Sequence, residues 1–408
     1  MAKVVVVGGG PAGMMASISA AKNHEVILVE RNEKLGKKLF ITGKGRCNVT
    51  NGKDIGEFIE HIPTNPYFLY SSLYTFTNED TMKFFEERGV KLKVERGDRV
   101  FPNSDKSSDI IKALEKEIEK SKVKVMLNSK VENIKIEGNN IKELILENGK
   151  TIKGDYFIFS TGGASYPQTG SDGAIFKVLK EIGHNIIKLK PSLVPIELKD
   201  DFIKDLQGLS LKNVELVIKN KKNKKLVFKD LGEMLFTHFG ISGPLVLSAS
   251  SNIEENLDYS IYIDLKPALS EEDLDKRIQR DFKELLNKDF KNSLDNLLPK
   301  KLIPVIIKLS EIDENKKVNS ITKEERKNLV KLIKNFPLNY KKLRPVEEAI
   351  VTSGGIDVKD IDPSTMKSKI IGNLSFAGEA IDVDAYTGGY NVQIAFSTGY
   401  LSGTKIGE

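Results

Sequence analysis

The chain has 408 residues, of which 39% are hydrophobic and 29% charged, a composition typical of soluble globular proteins. Its length exceeds that of one ordinary core, so we expect two or three domains. The single cysteine, Cys47, excludes a disulfide framework and most thiolate metal sites. The 63 basic residues are nearly balanced by 57 acidic ones, so the net charge of +6 does not indicate a nucleic-acid-binding protein.

The first residues predict neither a signal peptide nor a membrane segment. MAKVVVVGGGPAG runs directly into an apolar strand pattern and a glycine turn, without a small-residue cleavage site. No apolar run in the chain approaches the roughly 18 residues that a membrane span requires. We therefore expect a cytoplasmic protein without a membrane span.

The amino-terminal thirty residues have the pattern of a βαβ unit. An unbroken VVVV run precedes GGGPAG, a small-residue helix follows, and a second apolar run ends at Glu30. Gly8, Gly10 and Gly13 form a G-x-G-x-x-G pattern, in which they allow a tight turn, the approach of a pyrophosphate and close helix packing, respectively. Glu30 is placed to accept hydrogen bonds from a ribose. The unit predicts a dinucleotide site at a helix amino terminus.

The middle of the chain changes from one pattern to another after Pro191. Before it, residues 123–153 read as a β-meander that returns to the parent sheet, and residues 155–163 as a buried strand entering a glycine turn. After it, closely spaced short strands predict an antiparallel sheet or barrel. PLVLSAS, residues 244–250, is included among those strands. The lysine-rich run at 219–225 favours a solvated hairpin tip, with an anionic partner as the alternative.

Residues from about 268 to 336 have a helical pattern, and βα character returns near the carboxyl terminus. Ser270 is a candidate N-cap, and Leu274, Ile278, Phe282 and Leu285 are spaced as the core face of one helix. The predicted domains are a nucleotide-binding domain at 1–192 and 349–408, an antiparallel β domain at 193–266 and about 337–348, and a helical domain at 267–336.

The carboxyl-terminal segment predicts a second part of the nucleotide site. The strand SFAGE ends in Glu379, Asp382 follows, and the TGGYN turn at 387–391 opens an apolar helix. Strand-end carboxylates beside a helix amino terminus suit a polyol chain and a group that gains negative charge. A flavin presents both, as ribityl hydroxyls and as the ring edge that becomes anionic on reduction.

Several longer stretches carry a family resemblance: EKLGKKLFITGKGRCNVTN, RVFPNS, TGGASYPQTGSDG, PSLVPI, LFTHFGISGP, VTSGGI and FAGEAIDVDAYTGGYNVQIA. Over essentially the whole chain the sequence resembles the BaiN-like, aminoacetone-oxidase-like bacterial NAD(P)/FAD-dependent oxidoreductases of the glutathione-reductase-type FAD-binding superfamily. The resemblance implies a Rossmann-like α/β FAD-binding domain with an inserted antiparallel β domain and an inserted helical domain. It also implies non-covalently bound FAD and redox chemistry.

The resemblance further implies which residues contact FAD. These residues are Gly8, Gly10, Ala12, Gly13, Glu30, Arg31, Lys38, Gly45, Arg46, Cys47, Asn48, Val131, Thr161, Gly162, Gly163, Gly378, Glu379, Asp382, Gly389, Tyr390, Asn391 and Gln393. Lys44 departs from the glycine common in the family. Without a second cysteine no disulfide relay is possible, so Cys47 is a packing residue, a catalytic thiol or a flavin attachment point, and packing is favoured.

The candidate catalytic residues are His238, Tyr166 and Arg99. A histidine or tyrosine can donate a proton to a substrate that is being reduced, and an arginine can bind an anionic or carbonyl group. A purely structural role is the alternative for each. We identify no metal site, because no histidine–carboxylate cluster has ligand spacing.

The leading functional hypothesis is the reduction of a small organic substrate, such as an enone, by NAD(P)H through the flavin. The inserts lack a second G-x-G-x-x-G turn, so the nicotinamide must dock transiently, and the sequence does not distinguish NADH from NADPH. Alternatives are an oxidase that uses oxygen, an FAD-dependent RNA-modifying or RNA-binding protein, and a flavin-holding interaction protein. Nucleic acid is not the expected partner, and the predicted state is a monomer or weak homodimer.

Overall fold

The computed structural model describes residues 1–407. The chain divides into two compact units: unit 1 consists of Met1–Ser192 together with the chain from Pro345, and unit 2 consists of Leu193–Arg344. The first unit contains the parallel sheet, and the second contains a closed antiparallel barrel with helices.

The strands are numbered in chain order through both units. They are β1 (Lys3–Val7), β2 (Glu25–Val29), β3 (Thr50–Asn51), β4 (Leu92–Glu95), β5 (Arg99–Pro102), β6 (Lys124–Met126), β7 (Val131–Glu137), β8 (Asn140–Leu146), β9 (Thr151–Lys153), β10 (Tyr156–Phe159), β11 (Ile186–Ser192), β12 (Ile196–Leu198), β13 (Ser210–Asn220), β14 (Leu226–Phe236), β15 (Gly240–Ser242), β16 (Tyr259–Asp264), β17 (Phe336–Leu343), β18 (Val351–Ile356) and β19 (Leu374–Phe376).

The α-helices are numbered in the same way, and short 3₁₀ helices such as Ile55–His61 connect some of them. They are α1 (Pro11–Ala20), α2 (Lys37–Ile41), α3 (Tyr70–Thr75), α4 (Asn78–Glu86), α5 (Ser107–Lys120), α6 (Ile175–Glu181), α7 (Pro244–Ser250), α8 (Glu271–Lys283), α9 (Ile303–Ser310), α10 (Lys323–Lys334) and α11 (Tyr390–Thr404).

Unit 1 is built on a five-stranded parallel sheet with the order β19-β10-β1-β2-β6. The four valines of β1 are at most 6% exposed, as expected for a central strand covered on both faces. Helices α1 and α11 lie against each other: a Cβ atom at Gly399 would stand 2.3 Å from the carbonyl oxygen of Ala12. Glycine therefore allows these two helices to approach backbone to backbone. This Rossmann-like sheet confirms the predicted fold of the nucleotide domain.

Smaller antiparallel sheets complete unit 1. They are β3-β5-β4, β7-β8-β9 and the pair β11-β18. The predicted β-meander meets the parent sheet at its two ends: β6 pairs with β2, and β10, which follows β9, pairs with β1. Strands β7, β8 and β9 form a sheet of their own.

Unit 2 is a closed barrel with the order β12-β15-β14-β13-β16-β17, as the antiparallel strand pattern predicted. The barrel and helices α8, α9 and α10 contribute side chains to one hydrophobic cluster. Ser270 caps α8 by accepting a hydrogen bond from the amide of Asp273. Ile278 and Phe282 face the shared core, whereas Leu285 follows the end of α8 and is half-buried.

The segment PLVLSAS is helix α7, so its prediction as a strand was wrong. Pro244 occupies the first helical turn, where its missing N–H costs no hydrogen bond. The preceding Gly243 has φ +96°, and a Cβ there would lie 2.9 Å from the Cα of Met234. A short apolar run does not itself distinguish a buried strand from a buried helix.

Among the residues that the structure describes, no helix is both long and apolar enough to cross a membrane.

Candidate functional site

The strand ends of the parallel sheet bring the separate sequence motifs together. Gly8 follows β1, Glu30 follows β2, Ser160 follows β10 and Ala377 follows β19. Since these strands are parallel neighbours, all four residues lie at the same carboxyl edge of the sheet. That edge is where open α/β sheets bind ligands.

The three glycines of the first turn have different surroundings. Gly8 has φ +106°, and a Cβ there would lie 2.4 Å from the Ser160 carbonyl oxygen. A Cβ at Gly13 would lie 1.8 Å from the Gly8 oxygen. At Gly10, by contrast, a Cβ would meet no atom within 4 Å. The turn therefore packs tightly at two positions and leaves open space at the third, beside the start of α1 and its residue Ala12.

Glu30 is a buried carboxylate that orders the turn around it. Its Oε2 accepts a hydrogen bond of 2.6 Å from the amide of Gly9. Its Oε1 accepts bonds from the backbone and side-chain nitrogens of Asn32, at 2.8 and 2.6 Å. A carboxylate has about four acceptor positions, so one remains for a ligand hydroxyl.

Arg31 and Val131 lie beside Glu30 without contacting its carboxylate. The Arg31 guanidinium pairs with Asp172 at 2.5 Å and also donates to the Gly170 oxygen. Val131 begins β7, just after Ser129, whose amide donates to the Glu30 carbonyl oxygen. These contacts place both predicted residues at the Glu30 end of the site.

Lys38 and Glu379 form an ion pair between segments 341 positions apart. The Lys38 Nζ atom lies 2.7 and 2.9 Å from the two carboxylate oxygens and donates to Ser165 Oγ at 2.6 Å. Glu379 also accepts a bond of 2.8 Å from the amide of Thr352. The strand-end carboxylate is thus already held by several protein groups.

The turn after β10 contains two glycines that are needed for packing. A Cβ at Gly162, where φ is +74°, would lie 2.5 Å from Ser171 Oγ. A Cβ at Gly163 would lie 2.4 Å from Thr352 Oγ1. Thr161 Oγ1 is buried and makes no hydrogen bond to the described residues.

Gly378 and Asp382 extend the β19 end of the site. Gly378 has φ +69°, and a Cβ there would lie 2.8 Å from Ala12 Cβ. Asp382 accepts hydrogen bonds from the side chain of Asn65 and the amide of Gly354, at 3.0 and 3.1 Å. Burial raises the pKa of the Asp382 carboxyl, and the nearby Asp384 acts in the same direction.

The last glycine turn packs against the chain itself. Gly389 has φ +102°, and a Cβ there would lie 2.3 Å from the Thr50 carbonyl oxygen. Gly388 accepts a hydrogen bond of 3.0 Å from the side chain of Asn51. Strand β3, which contains Thr50 and Asn51, therefore lies directly against this turn.

The side chains that follow the last turn are also engaged within the protein. Tyr390 is buried, and its ring stacks on His61 with centroids 4.6 Å apart. Asn391 bonds the backbone of Ala385 through both its oxygen and its nitrogen. Gln393 accepts from Thr50 Oγ1 at 2.7 Å. Any contact of these three residues with a ligand would therefore be made mainly through backbone groups.

The loop around Gly45 has an unusual backbone. Gly43, Lys44, Gly45 and Cys47 have φ between 59° and 82°. A Cβ at Gly45 would meet nothing within 4 Å, so this part of the loop borders open space. Asn48 is 8% exposed, and its Oδ1 atom has no hydrogen-bond partner among the described residues.

Arg46 anchors this loop to a neighbouring sheet. It donates to Glu95 on β4 and, at 2.7 Å, to Asp105. The hydrogen bond from Arg46 is the main cause that lowers the pKa of Glu95. Because its guanidinium also covers the Phe101 ring, Arg46 faces the protein and not the open space at Gly45.

Cys47 is fully buried in a hydrophobic cluster that also contains Val49 and Met14. Burial raises the pKa of its thiol to about 12. The reactive thiolate is therefore scarce at neutral pH. This environment supports the packing role favoured by the sequence.

The predicted catalytic residues fall in different places. Tyr166 is half-buried in unit 1, directly after Ser165 of the Lys38–Glu379 cluster. Arg99 lies on β5 opposite Asn51 and donates to the Arg96 oxygen. His238 belongs to unit 2, where it is exposed in a turn. The structure brings Tyr166 and Arg99 to the unit that contains the glycine turns.

The residues of this edge and of the Gly45 loop fit a bound FAD. Open space borders Gly10 and Gly45, and the buried Asn48 and Thr161 each retain a polar atom that the described residues do not satisfy. A dinucleotide would place its phosphate oxygens in the open space at Gly10, at the amino terminus of α1, because helix amino termini bind phosphate. Its flavin and ribityl groups carry the donors that the unpaired oxygens require.

Comparison with known proteins agrees with this site. Residues 2–405 match the family model described as HI0933-like protein Rossmann domain. The chain belongs to this family. It is an FAD-dependent oxidoreductase, as the resemblance found in the sequence implied.

Two relatives extend over the whole molecule. A 3-dehydro-bile acid delta(4,6)-reductase of Clostridium scindens is 28% identical over 415 residues and is covered completely, as is this chain. A ribosomal RNA dihydrouridine synthase of Haemophilus influenzae is 30% identical over 408 residues, with 98% of each chain covered. A flavocytochrome c3 fumarate reductase structure has a TM-score of 0.52 at 17% identity, covering 99% of this chain and 78% of that one. This last likeness concerns the fold.

Several residues at the site were missed by the sequence reasoning. Thr352 accepts hydrogen bonds from the amides of Ala164 and Ser165, and Asn65 supports Asp382. The only signal for Thr352 was its place in VTSGGI, where glycines mark close backbone approach. No local signal pointed to Asn65, because its contact spans 317 positions.

Proposed function

We propose that the protein uses FAD to reduce a carbon–carbon double bond conjugated with a carbonyl group, with NAD(P)H as the hydride donor. The observation that carries the proposal is the open space at the backbone of Gly10 and Gly45, together with the buried, unpaired polar atoms of Asn48 and Thr161. This edge suits a long dinucleotide with a polar ring at one end.

The names of the two relatives describe the same chemistry on different substrates. A delta(4,6)-reductase of a 3-dehydro-bile acid saturates double bonds conjugated with a ketone. A dihydrouridine synthase saturates the uracil double bond conjugated with a ring carbonyl. An activated double bond is thus the feature that both substrates share, and we extend that feature to this chain.

Different residues of the chain are proposed to bind different parts of FAD. The amino terminus of α1, with the open backbone at Gly10, binds the pyrophosphate, and Glu30 accepts a hydrogen bond from the adenosine ribose. Gly45 and Asn48 border the ring. The Lys38–Glu379 pair fixes the end of β19, which would bind the ribityl chain.

When bound, FAD supplies a two-electron carrier between the nicotinamide and the substrate carbon. The substrate then gains a hydride at the β-carbon and a proton at the α-carbon, and the nicotinamide leaves oxidised. Tyr166 is our candidate proton donor, because it is half-buried and adjoins the Lys38–Glu379 cluster. Arg99 is our candidate for binding the substrate carbonyl, since β5 pairs with β3, the strand that lies against the last glycine turn.

A second candidate substrate is a uracil base in RNA. It is favoured by the Haemophilus influenzae relative and by an Escherichia coli ribosomal RNA dihydrouridine synthase that is 29% identical over 401 residues. The chemical step would be the same, because uracil presents a double bond conjugated with a carbonyl. Only the recognition of the rest of the substrate would differ.

The experiment has two stages. Acid precipitation of the purified yellow protein should release FAD, and release of FMN alone would contradict the dinucleotide site. Anaerobic stopped-flow mixing with NADPH or NADH should then bleach the flavin. Cyclohexenone, a 3-oxo-4-ene steroid, a uridine-containing ribosomal RNA transcript and oxygen should be compared as oxidants. Reoxidation by oxygen alone would favour an oxidase and contradict the proposed reductase.

A further inference from the structure

A basic pocket of about 450 Å³ lies in unit 1, outside the site described above. It is bordered by the loop after α4, by the residues after β5 and by helix α5. Its charged lining consists of Arg88, Lys91, Lys112, Lys116 and Asp109. We propose that this pocket binds the 2′-phosphate end of NADPH; the inference rests on the proposed use of a nicotinamide donor.

The cations of the pocket are only partly neutralised. Arg88 is held by Glu117 at 3.0 Å and lies over the Phe84 ring. Lys91, Lys112 and Lys116 form no ion pair within 4.0 Å among the described residues, and the acid that the charge of Lys112 acts on is Glu115, outside the pocket lining. The lining thus contains four cationic side chains and one carboxylate, Asp109, so the pocket has an excess of positive charge. A phosphate monoester carries about −1.5 to −2 charges near neutral pH and would balance it.

The pocket connects to the proposed flavin site through the backbone. The amide of Ser107, at the start of α5, donates to the Gly45 oxygen at 2.9 Å. Asp105, two residues earlier, binds Arg46 of the same loop. The pocket residues Ser104 and Asp109 therefore stand next to the segment that we place against the flavin ring.

Strand β5 gives the distance that the ligand must cover. Its first residue, Arg99, pairs with Asn51, which donates to Gly388 in the last glycine turn. Its last residue, Pro102, precedes Asn103 on the pocket wall. Four residues of extended strand span about 13 Å. An extended dinucleotide can bridge that length, with its adenosine phosphate in the pocket and its nicotinamide toward the flavin.

The surroundings favour a small phosphate ligand over an RNA strand. RNA and DNA backbones bind to extended positive surfaces that contact many phosphates. Here Glu115, Glu117 and Glu119 alternate with the lysines along α5, so the positive charge is confined to the pocket. The volume also lies within the usual range for small-molecule sites. A single phosphate monoester matches this local excess better than a polyanion does.

The test measures binding of NADP⁺ and NAD⁺ to the FAD-loaded protein by isothermal titration calorimetry. The double variant Lys112→Ala/Lys116→Ala should raise the Kd for NADP⁺ about tenfold and that for NAD⁺ about twofold at most. FAD content and the limiting rate of flavin bleaching should not change. The matched control Lys222→Ala/Lys225→Ala removes the same charge from the β13–β14 hairpin and should leave both Kd values unchanged. Lys112→Arg/Lys116→Arg should retain tight NADP⁺ binding.

Several results would overturn the assignment. These are equal NADP⁺ affinity in the two alanine double variants, an equal loss for NADP⁺ and NAD⁺, and no dinucleotide binding to the wild type. Loss of salt-sensitive RNA binding without a change for NADP⁺ would instead assign the lysines to nucleic acid. Chemical reduction with dithionite separates this inference from the proposed function. If the dithionite-reduced protein reduces none of the conjugated substrates, the proposed function is contradicted, whatever the Kd values are.

Discussion

The two glycine turns of unit 1 look alike in sequence and differ in what their glycines face. In the first turn, Gly10 borders open space. In the last turn, the position of a Cβ at Gly389 is filled by the backbone of Thr50. A glycine in a nucleotide motif therefore has one of two functions: it admits a ligand, or it admits another segment of the same protein. The motif alone does not distinguish them.

The largest effect is expected from Gly389→Val, which places a β-branched side chain against backbone atoms at φ +102°. A positive φ and a contact with the Thr50 backbone cannot be relieved by a rotamer change, so the cost should be about 3 kcal/mol or more. Chemical denaturation of the apoprotein measures it.

The matched control is Gly89→Val, because Gly89 has φ +79° but no atom within 4 Å of its Cβ position. It should cost about 1–2 kcal/mol, the usual penalty for the left-handed conformation. Equal costs at the two positions would mean that the Thr50 contact contributes nothing.

The second prediction concerns the open glycine. Gly10 has φ −77°, which any residue can adopt, so Gly10→Ala should leave apoprotein stability within about 1 kcal/mol of the wild type. The added methyl group would stand where we place the pyrophosphate, and FAD affinity should fall about tenfold or more. Fluorescence titration of apoprotein with FAD provides the measurement. Unchanged FAD affinity would show that the open space at this turn is not the phosphate site.

The third prediction tests whether the polar groups that follow β19 stabilise one another. Lys38→Met and Glu379→Gln should each destabilise the protein, and the double variant should lose less than the sum. We expect a coupling energy of about 1 kcal/mol, because the pair is less than a quarter exposed and has several hydrogen bonds. A coupling near zero in a double-mutant cycle on the apoprotein would mean that each residue acts independently.

The sequence predicted the parallel sheet, the first turn and the close packing at Gly8 and Gly13, because those properties follow from local spacing. It also placed Glu30 at the end of β2. It did not predict the Lys38–Glu379 pair or the Thr50–Gly389 contact, which join segments more than 300 positions apart. Helix α7 was missed for a local reason, since a seven-residue apolar run carries too little periodicity to decide between helix and strand.

The smallest effect is expected at Cys47. Like Gly389 in the last turn, Cys47 packs against other segments of the protein and does not border open space. Cys47→Ala removes one buried sulfur atom, and the cost should be about 1 kcal/mol, at the low end for large-to-small core changes. FAD binding and turnover should stay within a few-fold of the wild type. A loss of turnover beyond about a hundredfold, with FAD still bound, would mean that the thiol takes part in the reaction.

The pH dependence of stability gives an independent test of the same thiol. Burial disfavours the thiolate and so raises the pKa of the Cys47 thiol in the folded protein from its usual 9.0 to about 12. Stability from this group is therefore complete below about pH 9 and is lost as the pH rises toward 12, since the unfolded chain releases the proton first. Lysines and tyrosines titrate in the same range, so the informative quantity is the difference between wild type and Cys47→Ala. That difference should shrink and then change sign as the pH rises from 9 to 11, because about 2 kcal/mol is lost over this range. A constant difference, or rapid alkylation of the native thiol by iodoacetamide at pH 8, would show that Cys47 is exposed to solvent and titrates normally.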